Sequence, residues 1–309
     1  MHEFSEIEDA LESIELGAPQ VHLNLALFPL IGHGVREPDY LLLDEALERK
    51  LARVTETSEA GRVPELAFEN SSAEKILLVD GDELVGAKQN RIVNLSILVG
   101  AGQKVVIPVS CVEQGRWAYR SRDFAPAKRA LFAKARAKNS AQVSRTLYQS
   151  GLRTSDQREI WKDVAAKATL FQSASDTGAM GDIYQSRKSE LAAYAAAFRA
   201  EPRQRGAVVA IDGKVAGLEL FDSAATFSKY LAKLVDSYAL DAIETNRGKP
   251  LCPPEAAARA FIKSLKKAAA KPFAALGEGE DVRLTGDGVT GGALAAGGRV
   301  VHLAGHALP

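Results

Sequence analysis

The sequence predicts an α+β protein: a β-rich antiparallel core, sandwich- or barrel-like, a helical segment in the middle, and further strands and helices towards the C-terminal end. Three observations predict it. Residues 20–119 alternate apolar and polar side chains between glycine-bearing turns. Near Pro126 the pattern changes to alanine-rich stretches with helical spacing. From Gly206 short alternating runs return. Strands at both ends with helices between them argue for α+β rather than a parallel α/β sheet. No linker interrupts this order, so the expectation is a single globular domain over 1–309, with a β core at 20–119, a helical segment at 126–200 and a mixed part at 206–309 packed on the same core.

Taken in order, Phe4, Ile7, Leu11 and Ile14 recur at steps of three and four, which predicts an amphipathic helix over 4–15 closed by Pro19. "VHLNLALFPLIG" alternates as a strand, and "YLLLDEALERKLA" places Leu43, Ala46, Leu47 and Leu51 on one helical face. "LAFENSSAEKILLVDGDELVG" reads as three strands broken by Asn-Ser-Ser and Asp80-Gly81, the latter a hairpin signal because a type I′ turn needs positive φ at both central positions. "NLSILVGAGQKVVIPVSCVE" continues as strand, turn and strand. Helices are predicted for "AKRALFAKARAKNSAQVSRTLYQSG", with Gly151 as C-cap, for "TSDQREIWKDVAAKATLF", with Thr154 and Gln157 at capping-box spacing, and for "GDIYQSRKSELAAYAAAFRA", ended by Pro202. Strands follow in "GAVVAIDGKVAGLELF", helices over about 223–245 and 254–270, and a glycine-rich strand region at the end. "GAVVAIDGKVAGL" and "GGALAAGGRVVHL" align without a gap, the mark either of shared turn chemistry or of a duplicated hairpin.

Composition excludes several classes. Lysine plus arginine and aspartate plus glutamate both number 39, so no global field favours nucleic acid or membrane. No run reaches the ~18 apolar residues of a membrane span, and "MHEFSEIEDALESIEL" is acidic, unlike a secretion signal. Two distant cysteines, Cys111 and Cys252, fit a reduced cytoplasmic protein. The chain has no P-loop, GxGxxG, GxSxG, CxxC or HExxH pattern. His302 and His306 are spaced as HxxxH at a strand end, where that spacing is not expected to align them, so no metal is assigned, and no cofactor follows from the residues. The basic residues of 128–145, Arg136 among them, read as a solvated helix face.

Three polar clusters stand out: Lys88-Gln89-Asn90-Arg91; Glu113, Gln114, Arg116 and Trp117 after Cys111; and Asp156, Gln157 and Arg158 before Trp161. Strand parity after Asp80-Gly81 would place Glu83, Gln89 and Arg91 on one face. Arginine forks bind phosphate or carboxylate, amides orient a base or sugar, tryptophan stacks, and glutamate serves as acid/base or ribose acceptor. Glu83 and Glu113 are therefore the candidate catalytic groups. Lys88, Gln89, Asn90, Arg91, Gln114, Arg116, Trp117, Asp156 and Gln157 are the candidate ligand-binding groups. The competing reading makes the same residues a buried structural network.

The strings "LALFPLIG", "VPELAFENSSAEKILLVDGDELVGAKQNRIVNLSILV", "IPVSCVEQGRW", "SDQREIW", "SYALDAIE" and "GRVVHLAGH" resemble the bacterial ARG-and-rhodanese-phosphatase-associated protein domain along nearly the whole chain. That family is named for genes beside ADP-ribosylglycohydrolases or rhodanese-phosphatases. The resemblance implies either an ADP-ribose-like or other phosphorylated nucleotide or sugar ligand, or a partner enzyme for which the chain is an interaction or regulatory module. It implies no particular reaction.

Overall fold

The computed structural model describes residues 5–34 and 36–308. Phe4, the first apolar position of the expected N-terminal helix, lies outside them. Among the described residues are eight helices and 18 strands, mixed α+β with a β-rich core.

The first part runs α1 (Ser5–Glu12), β1 (Ile14–Leu16), β2 (Gln20–His22), β3 (Leu25–Gly32), β4 (Tyr40–Leu42), α2 (Leu43–Glu48), β5 (Ala52–Glu56) and β6 (Glu65–Asn70). Next come β7 (Lys75–Leu78), β8 (Asp82–Gly86), β9 (Arg91–Val93), β10 (Ile97–Val99), β11 (Lys104–Cys111) and β12 (Phe124–Ala130). The helical segment is α3 (Ala133–Ser150), α4 (Gln157–Leu170), α5 (Met180–Ser186) and α6 (Lys188–Ala197). The chain closes with β13 (Gln204–Ile211), β14 (Lys214–Phe221), α7 (Ala224–Thr245), α8 (Glu255–Lys267), β15 (Ala269–Ala274), β16 (Glu280–Gly286), β17 (Val289–Ala295) and β18 (Val300–Ala307).

Late and early strands join in one nine-stranded sheet, β1-β3-β13-β14-β18-β17-β16-β15, with β2 also on β3. One face carries Ala26, Phe28, Leu218 and Leu303 against Ile7 and Leu11 of α1 and Phe261 and Leu265 of α8. The opposite face carries Leu25, Leu27, Val209 and Phe221 against Tyr230, Leu234 and Tyr238 of α7 and side chains of α4 to α6. A six-stranded sheet, β12-β8-β9-β11-β6-β5, and a three-stranded sheet, β10-β7-β4, share a further cluster around Phe68, Leu84, Ile97 and Ile107.

The two echoing segments are hairpins, β13–β14 and β17–β18, and they lie side by side through the β14–β18 pairing. Their registers slip at aligned positions, Val209/Ala210 and Leu294/Ala295, and their aligned turn glycines, Gly213 and Gly298, have φ of 73° and 71°. Shared turn chemistry alone does not require matching bulges, so the pair is a repeated unit in structure as well as sequence.

Several local expectations are corrected. Asp80-Gly81 forms a tight turn, with Gly81 at φ 86° and the Asp82 amide donating to Val79 O at 3.0 Å, but β7 and β8 are not a hairpin. β7 is already paired on both edges, by β10 and by β4, the latter in parallel, so β8 leaves for the other sheet. That parallel pairing also takes Tyr40–Leu42 out of the helix expected there. Residues Ala127–Ala130 are strand, not helix, because β12 pairs with β8 through a register shift at Pro126/Ala130. The third helix breaks at Arg187 into α5 and α6. Residues 269–270 begin the edge strand β15 rather than end α8.

Candidate functional site

Lys88, Gln89 and Asn90 occupy the hairpin loop between β8 and β9, and Arg91 opens β9. Gly86 sits at φ 134°, and a Cβ there would meet Ser121 Oγ at 2.6 Å and Asp123 O at 2.8 Å, so only glycine lets the chain reverse here. The reversal pairs β8 with β9 in the register Glu83↔Ile92 and Leu84↔Arg91. Cross-strand partners share a face and neighbours alternate. Glu83 and Arg91 therefore project to opposite sides of the ladder, which corrects the parity grouping.

Glu113 is the centre of a closed knot. Arg116 donates to it side-on, Nε to Oε1 at 2.9 Å and Nη2 to Oε2 at 2.6 Å. The Asn90 amide donates to Oε2 at 3.0 Å and Thr177 Oγ1 to Oε1 at 2.8 Å. Burial acts to raise the Glu113 pKa, but these hydrogen bonds outweigh it and hold the carboxyl below its ordinary range. The remaining Arg116 donors go to Ala87 O, Ala118 O, Gly86 O and Asn90 Oδ1, at 2.6, 2.8, 3.2 and 3.2 Å. Gln89 Nε2 donates to Glu113 O at 3.0 Å, and Gln89 Oε1 accepts from Arg91 Nη1 at 3.1 Å. Lys88 Nζ donates to Ala60 O at 2.7 Å and lies 5.2 Å from the Trp117 ring and 5.0 Å from that of Tyr119. These groups leave Glu113 and Arg116 no free valence for a substrate.

The other candidates are dispersed. Glu83, fully buried, pairs with Arg129 through Oε2, while its Oε1 has no protein partner. Burial raises its pKa against the pull of Arg129, with Glu113 and Asp182 adding to the rise. Gln114 is exposed. Asp156 is the N-cap of α4, accepting the Arg158 amide at 2.9 Å, so the expected Thr154–Gln157 capping box is not the one used. Gln157 instead brackets the Cys111 backbone, accepting from its N–H and donating to its carbonyl, each at 2.7 Å. Its side-chain amide caps the end of β11 as a further strand would.

A second polar centre was missed from the sequence. His302 and His306 are four apart in β18, share a strand face, and are both buried. His302 bridges Ser96 Oγ through Nδ1 and Glu219 Oε2 through Nε2, both at 2.8 Å. The other Glu219 oxygen pairs with Arg136, which is fully buried and not on a solvated face. Asp80 reaches the same place, its amide donating to Ser96 Oγ at 3.0 Å. Asp82 in the same turn takes Tyr230 at 3.2 Å and Lys233 at 2.8 Å, tying the turn to α7. Ser96, His302 and Glu219 stand in line as nucleophile, base and orienting group would. Yet the chamber beside them, between Asp80, Ser96, Arg283 and His302, measures ≈ 10 Å³, about the space of one water and none for a substrate. Among the described residues, no group of three or more His, Cys, Asp or Glu side chains is placed to hold a metal ion. Parity within "VVHLAGH" was the one available signal.

This centre is pH-sensitive. Burial raises the Asp80 carboxyl to about 7, against Arg136 and Arg283 and with Glu219 and Asp82 adding to the rise. A carboxyl raised from 3.8 stabilises the fold fully below that value and loses its contribution as pH rises to about 7. Asp80→Asn is therefore expected to be more stable than wild type above pH 7, with the advantage shrinking towards pH ~4. Burial depresses His306 to about 3, with Arg136 adding to the drop, so its contribution is lost as pH falls from 6.5 towards 3. Because His306 is common to both proteins, the difference in urea midpoint between them isolates Asp80. A difference independent of pH would exclude this titration.

The open surface next to the knot is a cleft of ≈ 900 Å³ lined by Arg53, Thr55, Glu56, Tyr119, Arg120 and Arg122, among others. No helix among the described residues is long and apolar enough to cross a membrane.

A family model described as the ARG and Rhodanese-Phosphatase-superfamily-associated Protein domain matches residues 13–306. Comparison with curated proteins and with solved structures finds no match.

Proposed function

The chain belongs to the ARG and Rhodanese-Phosphatase-superfamily-associated Protein domain family, and from that membership we propose that it is a non-catalytic interaction or regulatory module for a partner enzyme of the kind the family description names. The observation that carries this reading is the saturation of Glu113 and Arg116. The side chains with the strongest chemical promise in the sequence spend their valences on each other and on the loops they join. Such a knot fixes a surface without processing a ligand. We also propose that the nine-stranded sheet and the smaller sheets unfold as one domain, since Asp82, in the turn between β7 and β8, is held by Tyr230 and Lys233 of α7, which packs on the nine-stranded sheet.

The test uses the purified full chain and a rhodanese-phosphatase-superfamily enzyme from the same organism. Titration calorimetry should give saturable heat, and saturating amounts of the chain should change the kcat/KM of that enzyme. Absence of both effects would remove the partnering role.

A second reading, binding of an ADP-ribose-like or other phosphorylated ligand, has one observation in its favour. Arg91 keeps a donor edge open within the otherwise closed cluster.

A further inference from the structure

Two arginines flank Glu113, Arg116 in the same loop and Arg91 on the neighbouring strand, and their surroundings differ in one respect. Arg116 uses its Nε/Nη2 edge for a side-on fork to a carboxylate. Arg91 presents the same edge to no protein acceptor: its Nε and Nη2 have no hydrogen-bond partner, although the side chain is 0% exposed. Its far nitrogen is fixed, Nη1 donating to Gln89 Oε1 at 3.1 Å and Asn90 O at 3.4 Å. Gln89 is in turn held by Glu113 O. The guanidinium is thus aimed and immobilised, with its two-donor edge free.

Acidic groups surround that edge, but none of them accepts a hydrogen bond from it. Cys111 is the cross-strand partner of Arg91, so thiol and guanidinium share one face of the ladder. The indole N–H of Trp161 faces the Cys111 sulfur as its acceptor, short of full hydrogen-bonding geometry. Glu56 and Glu113 act on Arg91 electrostatically, but neither forms an ion pair with it. A buried cation with two unmet N–H groups is costly unless an anion completes it.

We infer that Arg91 is the floor of an oxyanion-binding niche, taking a phosphate or carboxylate group on its Nε–H and Nη2–H with the Trp161 indole N–H as a further donor. The cover is Trp117, whose ring centroid lies 5.7 Å from the guanidinium carbon and which is itself 48% exposed. Glu56 connects the niche to the open cleft: it lines that cleft and lies within electrostatic reach of Arg91. Rotation of the Trp117 ring towards solvent opens the niche to the cleft. The niche rests on the same open Arg91 edge as the phosphorylated-ligand reading and deepens it, and it is independent of the partnering role.

The experiment titrates the full chain with sodium phosphate, and separately with sodium acetate, at ionic strength held constant with sodium chloride. Tryptophan fluorescence and melting temperature are followed. Both tryptophans of the chain flank the niche, so occupancy should change the emission saturably and raise the melting temperature above the chloride baseline. Preference for phosphate or for acetate distinguishes the two sources. Arg91→Lys keeps the charge but loses the fork, and should weaken binding about tenfold or more. Should that variant not fold, Trp161→Phe serves in its place and should weaken binding severalfold. No response beyond chloride, or unchanged affinity in the informative variant, would overturn the niche. Addition of ADP-ribose separates the two ideas: phosphate binding without ADP-ribose binding keeps the niche and removes the ADP-ribose ligand.

Discussion

Replacing Glu219 by alanine is expected to cost about 3–5 kcal/mol of folding free energy, read as a drop in the urea midpoint at unchanged slope. Glu219 and Arg136 are both fully buried, and Glu219 is the carboxylate that pairs with Arg136 while also accepting from His302 Nε2–H. Its removal leaves a cation stranded between β14, α3 and α7. Burial acts to raise the Glu219 pKa, but Arg136 and His302 overcome it and hold the carboxyl below its ordinary value of 4.5. Its contribution is therefore present above that value and disappears as pH falls through the lower folded pKa. A loss under about 1 kcal/mol would mean that the pair is dispensable.

Arg116→Ala is expected to have an effect of similar size, about 3–5 kcal/mol, for a related reason. The substitution removes two bonds to Glu113 and four to carbonyls and Asn90, and it orphans a carboxylate that is fully buried. Arg116 bonds to both the 86–90 and the 113–118 loop, alongside the Gln89 and Asn90 contacts to Glu113, so their amides should exchange with solvent faster in the variant. Near-native stability and unchanged exchange would show that the knot does not hold those loops.

How much of this was legible in the sequence follows from where the signals were local. The strand at "LALFPLIG" and the helix α7 survive into the structure because their apolar content is dense enough for burial on more than one side, with Leu25 and Leu27 facing one cluster and Ala26 and Phe28 the other. Glycine marked the turn at Gly81, but pairing was decided elsewhere: β7 had both edges filled by strands distant in sequence, which no local pattern encodes. The hairpin at Gly86 was missed because a single glycine in an apolar run is compatible with either a continued strand or a reversal. The grouping of Lys88, Gln89, Asn90, Arg91, Glu113, Arg116 and Trp117 was legible because two short loops supply all of them. The Asp80–Ser96–Arg136–Glu219–His302 centre was not, because each member comes from a different element and looks ordinary in its own segment. Arg136 is the clearest case: it sits in a helix rich in exposed lysine and arginine, and only the packing of α3 on the sheet puts it inside.

Arg116 is a closed cation, its fork taken by Glu113, and Arg91 an open one, its Nε and Nη2 without a partner. The most direct test compares the unliganded folding stability of Arg116→Ala and Arg91→Met by urea denaturation under one set of conditions. The predicted result is a loss of about 3–5 kcal/mol for Arg116→Ala and a change within about 1 kcal/mol for Arg91→Met, since methionine fills the buried space without a charge in need of a partner. Equal, large losses in both variants would contradict the account, because Arg91 would then be another strut of the framework rather than an arginine held ready for an anion.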